Sequence, residues 1–404
     1  MKTLLFCLDI VFLIPFSFFS LYLAILSLLA MFRKEKPLDT TTGKRRKFAI
    51  LVPAHNEEEV IERTLSSLAR IEYPRELFDV IVIADNCTDR TAAISRSMGA
   101  NKVFERFDRV LIGKGHALKW CLDRIITEEP SYEAFVMIDA DTVASENLLS
   151  VMNAHLELGA DCIQCADMAI PQPGAWSPEI TRVAFMLYNY VRPLARMSMG
   201  CSAGLRGNGM CFTRDLLVKF PWDSYSRAED LEYSIRLSLE NVAVRFAPET
   251  AVNTVMPTDP RDAETQRRRW EMGRFPIIKK YAVPLFLASI RKRSFMIFDQ
   301  FIDLITPAFV NLVALEVVLF LLQVILLVLG SSRFLPMAIS FEVALALDAV
   351  HVLCGLKAAK ASHSAYSALL NTPRYAFWKF RLYLKTMAKG DDKEWVRTAH
   401  ADKK

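Results

Sequence analysis

Three long apolar segments constrain the fold of this 404-residue chain more than any other feature of its sequence. The first is Leu4–Phe32, and two more, Ile305–Leu329 and Leu335–Leu356, follow near the C-terminus. A helix of about 20 apolar residues spans the ~30 Å hydrocarbon core of a bilayer. The sequence therefore predicts a transmembrane anchor over residues 1–33 and a transmembrane hairpin over residues 301–357.

Basic residues predict how these segments are oriented in the membrane. Only Lys2 precedes the first segment, whereas a basic cluster follows it: Arg33, Lys34, Lys36, Lys44, Arg45, Arg46 and Lys47. Because Lys and Arg are enriched in cytoplasmic loops, we expect the N-terminus outside and the residues after the anchor in the cytoplasm. The tail over residues 358–404 is also basic, as expected after three spans. We expect a multi-pass protein of the cell inner (plasma) membrane that contacts membrane lipid.

Two further segments mix apolar and basic residues. Tyr281–Phe298 lies in a predicted interfacial region over residues 275–300, and Tyr375–Lys389 lies in the predicted amphipathic tail. This pattern indicates helices that lie on the cytoplasmic membrane surface. An ordinary amphipathic surface helix is the alternative for both segments.

Three acidic residues fall inside the predicted hairpin, namely Glu316, Glu342 and Asp348. Acids inside a membrane often mark functional sites, but they also pair with polar neighbours inside a helix bundle. The sequence leaves both interpretations open.

The residues between the membrane segments give the chain the charge content of a soluble protein. Of all residues, 24% are charged and 52% are hydrophobic, which excludes a disordered chain and a mostly membrane-embedded transporter. The net charge of +5 is not concentrated on one segment, so no nucleic-acid partner is predicted. The eight scattered cysteines fit reduced cytoplasmic thiols. The isolated pair Cys162 and Cys165 is interpreted as buried strand residues rather than a zinc or redox site.

The segment over residues 45–274 alternates short apolar runs with helical patterns. Phe48–Val52, Val80–Ala84 and Ala134–Ile138 are predicted to be strands of a mostly parallel sheet that is covered by helices on both faces. Each run is followed by acidic or Asn-containing sequence. Ligands of such α/β folds bind beyond the carboxyl ends of the strands. We therefore expect a binding site at that edge.

Asp139 and Asp141 flank Ala140 directly after the third predicted strand. Residues i and i+2 of an extended segment point to the same side, and two carboxylates on one side suit Mg²⁺ or Mn²⁺. No G-x-G-x-x-G sequence and no Walker loop follows the first strand, so a bound diphosphate would require such a metal. Two solvated aspartates in a strand-end turn are the alternative.

Six short motifs follow one another along residues 45–300. They are Pro53-Ala54-His55-Asn56-Glu57, Asp85 with Asn86, Gly113-Lys114-Gly115, Asp139-Ala140-Asp141, Glu229-Asp230 and Gln266-Arg267-Arg268-Arg269-Trp270. In this order they resemble the family 2 glycosyltransferases of the GT-A fold. The resemblance is to the membrane-bound branch that contains cellulose, hyaluronan and poly-N-acetylglucosamine synthases, and Trp395–Thr398 resembles the tail of bacterial exopolysaccharide enzymes.

The resemblance implies a donor site for a UDP-sugar. Pro53 and Glu57 belong to the opening nucleotide-binding loop, and Asp85 holds the uracil or ribose. Lys114 approaches the diphosphate. Asp139 also belongs to the donor site, because it binds the metal together with Asp141. An ordinary surface lysine or a simple strand-end turn is the alternative at these positions.

The resemblance also implies a catalytic and acceptor site. Asp230 is the catalytic base, and the adjacent Glu229 would raise its pKa towards a useful value, unless Asp230 is only a helix N-cap. The residues implied on the acceptor side are Asn208, Gln266, Arg269 and Trp270. Trp270 would stack on a sugar ring, with burial against the interfacial helix as the alternative.

The implied reaction is an inverting, metal-dependent sugar transfer to a lipid-linked or growing saccharide acceptor at the cytoplasmic membrane face. Exopolysaccharide or cell-surface glycan biosynthesis, with other polysaccharide-assembly proteins as partners, is the implied context. A processive β-glycan synthase and a glycolipid synthase are the alternative enzymes. An inactive nucleotide-sugar-binding membrane scaffold is the alternative outside enzymes. The Q-x-x-R-W motif favours a processive or related enzyme, whereas three spans are few for a polymer channel and favour single transfers. The sequence leaves processivity open.

Overall fold

A computed structural model of the chain describes residues 2–34, 37–170, 176–256, 260–330 and 332–375. Side chains are described over the same ranges except at 2–12, 176–177, 260–265, 267–271 and 333. The predicted amphipathic segment of the tail, beyond Tyr375, and the Trp395–Thr398 motif lie outside the described residues.

Eight strands form one mixed, mostly parallel sheet in the order β3-β2-β1-β4-β7-β6-β8-β5. The strands are β1 (Phe48–Ala54), β2 (Phe78–Asp85), β3 (Lys102–Arg106), β4 (Ala134–Met137), β5 (Thr142–Ala144), β6 (Cys162–Ala169), β7 (Met210–Thr213) and β8 (Arg245–Thr254). The pairs β1–β2, β1–β4, β2–β3 and β6–β8 are parallel, while β7 runs antiparallel to both neighbours and β5 to β8. The predicted α/β sheet and its three central strands are confirmed.

Fourteen α-helices surround and follow this sheet within the described ranges. They are α1 (Lys2–Phe32), α2 (Ile61–Leu68), α3 (Thr91–Ser97), α4 (Lys114–Glu128), α5 (Leu148–Glu157), α6 (Trp176–Phe185), α7 (Arg192–Ser198), α8 (Arg214–Lys219), α9 (Glu229–Leu239), α10 (Pro260–Arg291), α11 (Phe295–Ile305), α12 (Phe309–Val328), α13 (Leu335–Ala358) and α14 (His363–Ala368). A π-helix, Met186–Val191, joins α6 to α7, and short 3₁₀ turns occupy Arg75–Leu77, Ser332–Phe334 and Leu369–Asn371.

The sheet is buried on both faces because its central strands are apolar throughout. Phe48, Ile50 and Val52 of β1 belong to one core together with α2 and α5, whereas Ala49 and Leu51 belong to the other with α4 and α7–α9. The second core also includes side chains of α1 and α13. The candidate membrane helices therefore pack directly on the domain that contains the sheet. Cys162 and Cys165 are fully buried in β6, as predicted.

Strand β1 continues through Pro53 to Ala54, beyond its predicted end at Val52. Leu51 O accepts a hydrogen bond from Ile138 N on the β4 side, and Pro53 faces the same side two residues later. Proline has no N–H to donate to a neighbouring strand. Because β4 ends at Met137, the sheet has no ladder hydrogen bond at this position that Pro53 would have to make. The loop that follows is thereby held in line with the strand.

Three described helices are long and apolar enough to cross a membrane: Leu13–Phe32, Phe309–Val328 and Leu335–Ala358. This agrees with the number of spans predicted from the sequence. Among the acids of the hairpin, Glu316 accepts a 2.8 Å hydrogen bond from Ser20, and Asp348 is also buried, whereas Glu342 is exposed. The contact of Glu316 supports the interpretation that it pairs with a polar neighbour inside the bundle.

The predicted interfacial helix Tyr281–Phe298 is divided in the structure. Helix α10 ends at Arg291, Arg293 adopts a left-handed φ of 49°, and α11 begins after Ser294, whose hydroxyl accepts from Ile297 N. A left-handed residue cannot continue a helix, and the Ser294 cap starts a new one. Residues 301–305, expected in the hairpin, accordingly belong to α11.

A buried ionic network joins the domain that contains the sheet to α11. The guanidinium of Arg196 lies 2.6 Å from Asp299 Oδ2 and 3.0 Å from Asp303 Oδ2. Tyr22 of α1 donates to the other oxygen of Asp299 at 2.8 Å. Since breaking one partner of a buried ion pair is strongly destabilising, this network fixes the domain relative to the membrane helices.

Candidate active site

The predicted site residues converge at the carboxyl ends of β1, β2 and β4. Asp85 is the last residue of β2, and Asp139 and Asp141 lie in the short connection from β4 to β5. Lys114 opens α4, and Glu229 opens α9. Residues more than 90 positions apart are thus brought together at the edge of the sheet where the sequence predicted a ligand site.

Lys114 lies at the centre of this arrangement. Its ammonium group is 2.5 Å from Asp139 Oδ1, 2.6 Å from the carbonyl oxygen of Gly207 and 3.8 Å from Glu229 Oε1. Burial alone would lower the pKa of Lys114, but the carboxylates of Asp139 and Glu229 outweigh burial and raise it. The lysine therefore remains charged, in a position that links the predicted metal motif to the acidic pair.

Two glycines bring Lys114 into place. Gly113 has a φ of 117°, which side chains rarely tolerate. A Cβ added at Gly115 would lie 2.3 Å from the carbonyl oxygen of Ser224, closer than any side chain allows. The glycines thus permit the turn into α4 and the close approach of the loop that precedes Glu229.

Glu229 and Asp230 form a buried acidic pair at the start of α9. Ala228 occupies the N-cap position, so Asp230 is not the helix cap that was considered as an alternative. Burial raises the pKa of Glu229 to about 7, although Lys114 opposes the shift and Asp230 adds to it. Burial also raises the pKa of Asp230, against hydrogen bonds from the backbone and the charge of Lys114. A carboxylate with a raised pKa is suited to accept a proton near neutral pH.

Asp230 faces the glycine-rich loop that precedes β7. A Cβ at Gly207 would lie 3.2 Å from Asp230 Oδ2, so the backbone of this loop lines the acidic pair. Gly207 also has a left-handed φ of 84°. A side chain at this position would be strained and would crowd the carboxylate that is the candidate base.

Asn208, which the resemblance implies on the acceptor side, is hydrogen-bonded to the Asp139–Asp141 connection. Its Oδ1 accepts a 3.1 Å hydrogen bond from Asp139 N, and its Nδ2 donates to Thr142 Oγ1 at 2.9 Å. The residue is buried, with 4% of its surface exposed. Asn208 therefore helps to position the Asp139–Asp141 connection.

Two loops at the nucleotide side are joined by hydrogen bonds. His55 Nδ1 lies 2.6 Å from the carbonyl oxygen of Asp85, and Asn56 Oδ1 accepts from Thr88 N at 2.7 Å. Glu57 N donates to the hydroxyl of Thr91 at 2.8 Å. The loop after Pro53 is thus attached to the loop after Asp85, as a shared nucleotide site requires.

Arg106 is a site residue that the sequence analysis missed. Its Nη1 donates to Asp85 Oδ1 at 2.5 Å, and its Nη2 donates to the carbonyl oxygen of Leu111 at 2.6 Å. Both Arg106 and Asp85 are 5% exposed. Asp85, the candidate ligand of uracil or ribose, is therefore held by a buried cation. Arg106 ends the edge strand β3, which has charged residues at both ends and lacks the continuous apolar run of the central strands.

Asp167 of β6 is a second residue that the sequence analysis missed. It is buried, accepts a 3.2 Å hydrogen bond from Asn189 at Oδ2, and its Oδ1 has no hydrogen-bond partner among the described residues. Burial raises its pKa, and the charges of Asp139 and Asp141 raise it further. The site is thus acidic around the two aspartates, which favours a bound cation.

Oxygen ligands at Asp139 and Asp141 fit Mg²⁺ or Mn²⁺, which prefer carboxylates. In the part of the chain that the structure describes, no three His, Cys, Asp or Glu side chains converge on one point. Mg²⁺ sites with one or two carboxylates commonly complete their coordination with substrate phosphates and water. The two aspartates therefore fit a cation that binds together with a diphosphate.

The predicted acceptor residues Gln266, Arg269 and Trp270 belong to the N-terminal part of α10. Gln266 is described and buried, whereas the side chains of Arg269 and Trp270 lie outside the described residues. Lys280 and Tyr281, farther along α10, both hydrogen-bond Glu232 of α9. Helix α10 is thus attached to the helix that carries the acidic pair.

Residues 45–273 match the family model described as glycosyltransferase like family 2. The chain belongs to this family. A probable glycosyltransferase of Bacillus subtilis, YdaM, is 25% identical over 63% of this chain and 61% of its own length. A β-monoglucosyldiacylglycerol synthase of Nostoc is 29% identical over 56% and 48%. A poly-β-1,6-N-acetyl-D-glucosamine synthase of Staphylococcus epidermidis is 24% identical over 70% and 69%.

A solved structure shows the same fold as this glycosyltransferase. The mannosyltransferase PcManGT from Pyrobaculum calidifontis, in complex with GDP-Man and Mn²⁺, superimposes with a TM-score of 0.57, covers 95% of both chains and is 18% identical. The GT-A-like fold is therefore shown. The chain spans about half to two thirds of the length of the curated relatives described above.

Proposed function

We propose that this glycosyltransferase moves a sugar from a UDP-sugar to a lipid-linked or growing saccharide acceptor at the cytoplasmic membrane face. The observation that carries the proposal is the position of Lys114 between Asp139 and the Glu229–Asp230 pair. We expect the positive charge of Lys114 to face the diphosphate. The candidate base, Asp230, would lie close to this charge. Sugar transfer requires both groups.

In the proposed reaction, Asp230 accepts the proton of the acceptor hydroxyl while the sugar leaves the diphosphate. Lys114 stabilises the negative charge that develops on the leaving group. Pro53, Glu57 and Asp85 line the nucleotide, with Arg106 holding the carboxylate of Asp85 in place. A divalent cation bound by Asp139 and Asp141 would act as a Lewis acid on the diphosphate.

A single candidate base and the lack of an assigned nucleophile favour direct displacement. We therefore propose inversion, so that an α-linked donor sugar gives a β-linked product. Gln266, Arg269 and Trp270 are proposed to contact the acceptor, since α10 is attached to the helix that carries Asp230. Analysis of the product linkage by NMR tests this part, because an α-linked product from an α-linked donor would contradict it.

The primary experiment is UDP release from a panel of UDP-sugars by the membrane-reconstituted full chain, with Mg²⁺ or Mn²⁺. We expect release with at least one donor, and loss of release in Asp230→Asn. Asp123→Asn is the matched control, because Asp123 is exposed on α4 and pairs only with Lys119. The panel also includes GDP-mannose. If the wild-type protein released no nucleotide from any donor, the result would support the inactive scaffold instead.

Metal dependence is tested separately. We expect chelation to abolish release and Mg²⁺ or Mn²⁺ to restore it, and we expect Asp139→Ala and Asp141→Ala to lose the response to metal. If both variants released UDP at the full rate in the presence of a chelator, the metal assignment would be contradicted. The assignment of Asp230 would not be affected.

Two acceptor classes remain candidates, and each has a relative that favours it. The Nostoc relative is named a glycolipid synthase, and the Staphylococcus relative is named a poly-N-acetylglucosamine synthase. Three candidate spans are few for a polymer channel within one chain, so we favour single transfer to a lipid-linked acceptor in exopolysaccharide or cell-surface glycan assembly. Product size on a gel distinguishes the two, because a ladder of long chains would indicate a processive enzyme.

A further inference from the structure

A cleft of about 390 Å³ lies where α1 leaves its candidate membrane span. Its lining includes Arg33 and Lys34, which directly follow α1, together with His155, Leu158, Arg245 and Glu249. Arg245 and the Asp139–Asp141 connection lie at opposite ends of β8, because Thr254 at its far end pairs with Thr142. At about 3.3 Å per residue, the ten-residue strand separates the two sites by roughly 30 Å.

Two buried nitrogen atoms of the cleft have no hydrogen-bond partner among the described residues. They are Arg33 Nη1 and His155 Nδ1. His155 is 3% exposed, and its other nitrogen lies 3.0 Å from Glu249 Oε2. Buried polar atoms in folded proteins are nearly always satisfied, so a polar ligand at this position would complete the contacts of these two nitrogens.

The charge of the cleft identifies the ligand as an anion. Arg33, Lys34 and Arg245 form no ion pair within the described part of the chain, while the one carboxylate, Glu249, is paired with His155. Two guanidinium groups and an ammonium group facing one cleft match the geometry and charge of phosphate oxygens.

The location of the cleft indicates which kind of phosphate-containing molecule it binds. Phe32, the last residue of the candidate span, is 74% exposed, and Leu158 at the rim is 66% exposed. Exposed apolar side chains beside cations at the end of a span are typical of the headgroup layer of a membrane. We propose that this cleft binds the phosphate group of an anionic membrane phospholipid. The proposal concerns a site separate from the donor site and stands without the proposed function.

The test measures thermal unfolding of the purified full chain in detergent with added phosphatidylglycerol, phosphatidylcholine or inorganic phosphate. We expect phosphatidylglycerol to raise the melting temperature. Arg33→Gln and Arg245→Gln each remove one guanidinium group. Each variant should need about tenfold more phosphatidylglycerol for the same rise in melting temperature. Arg33→Lys keeps the charge and should retain most of the effect.

The matched control is Arg70→Gln with Arg124→Gln, which removes two exposed guanidinium groups outside both the cleft and the predicted interfacial region. Its response to phosphatidylglycerol should equal that of the wild type. Equal loss of the response in the control and in the cleft variants would overturn the proposal, as would equal stabilisation by phosphatidylcholine or by inorganic phosphate. UDP release in lipid-free detergent should be the same in all variants, so that failure of the lipid site and failure of the proposed function are distinguishable.

Discussion

The ammonium nitrogen of Lys114 lies 2.5 Å from Asp139 Oδ1, which joins the start of α4 to the connection between β4 and β5. This contact brings together two motifs separated by 25 positions in the sequence. It also places the only described lysine of the site between the candidate metal ligands and the acidic pair. Removing the positive charge of Lys114 should therefore affect the reaction directly.

Lys114→Ala should lower kcat/KM for UDP release by about 10²–10³-fold, which is the usual effect of removing one group that stabilises developing negative charge. Lys114→Arg should recover part of the activity. Lys119→Ala on the same helix is the control, because Lys119 pairs with exposed Asp123. Steady-state kinetics with a saturating acceptor would measure both. A loss in Lys119→Ala as large as in Lys114→Ala would show that the effect comes from damage to α4.

The pH dependence of the reaction should report the ionisation of Asp230. A base must be deprotonated, so kcat/KM should rise with pH through the pKa of Asp230, which burial raises above the ordinary value of 3.8. Glu229→Gln removes a neighbouring negative charge and should move the acidic limb to lower pH. The measurement is a pH–rate profile of UDP release. An unchanged limb in Glu229→Gln would mean that another group controls the rate.

Protein stability should fall as the pH rises towards 8, because the native state holds a proton on Glu229 more tightly than the unfolded state does. Its pKa is raised from 4.5 to about 7, so its stabilising contribution is complete below pH 4.5 and is lost as the pH rises through 7. Glu229→Gln should remove this dependence and stabilise the protein at pH 8 by on the order of 1–3 kcal/mol. Thermal unfolding at pH 5 and pH 8 would test it. A variant with the same pH dependence as the wild type would contradict the prediction.

The parts of the fold that sequence reasoning predicted are those determined by local pattern. The strands of Phe48–Val52 and Val80–Ala84 are continuous apolar runs, and burial on both faces requires such runs. The carboxyl ends of parallel strands share an edge, so Asp85 and Asp139 could be placed near each other without coordinates. The apolar spans follow from length and composition in the same way.

The parts that were missed depend on contacts between distant side chains. Arg106 lies in an edge strand of mixed polarity, and nothing local indicates that it reaches Asp85. Asp167 resembles any polar residue of a strand until β6 is placed beside β8. The break at Arg293 required a left-handed backbone conformation at a non-glycine residue, which composition does not reveal.

The ion pair of Arg106 and Asp85 gives the last prediction. Both side chains are buried, so Arg106→Met should leave an uncompensated carboxylate and destabilise the protein by about 3–5 kcal/mol. Asp85→Asn in the same chain should recover much of this loss, which gives a coupling energy well above 0.5 kcal/mol in a double-mutant cycle. Arg90→Met is the control, since Arg90 is 81% exposed where it pairs with Glu58 and should cost no more than about 1 kcal/mol.

The same cycle separates folding from donor binding. Arg106→Met with Asp85→Asn should fold, yet its KM for the UDP-sugar should remain raised, because the carboxylate proposed to hold the uracil or ribose is gone. Thermal unfolding gives the stability of each variant, and initial rates of UDP release give the KM. Additive changes in stability would show that the two side chains do not depend on each other. A wild-type KM in the double variant would remove Asp85 from the donor site while leaving its structural pairing with Arg106 intact.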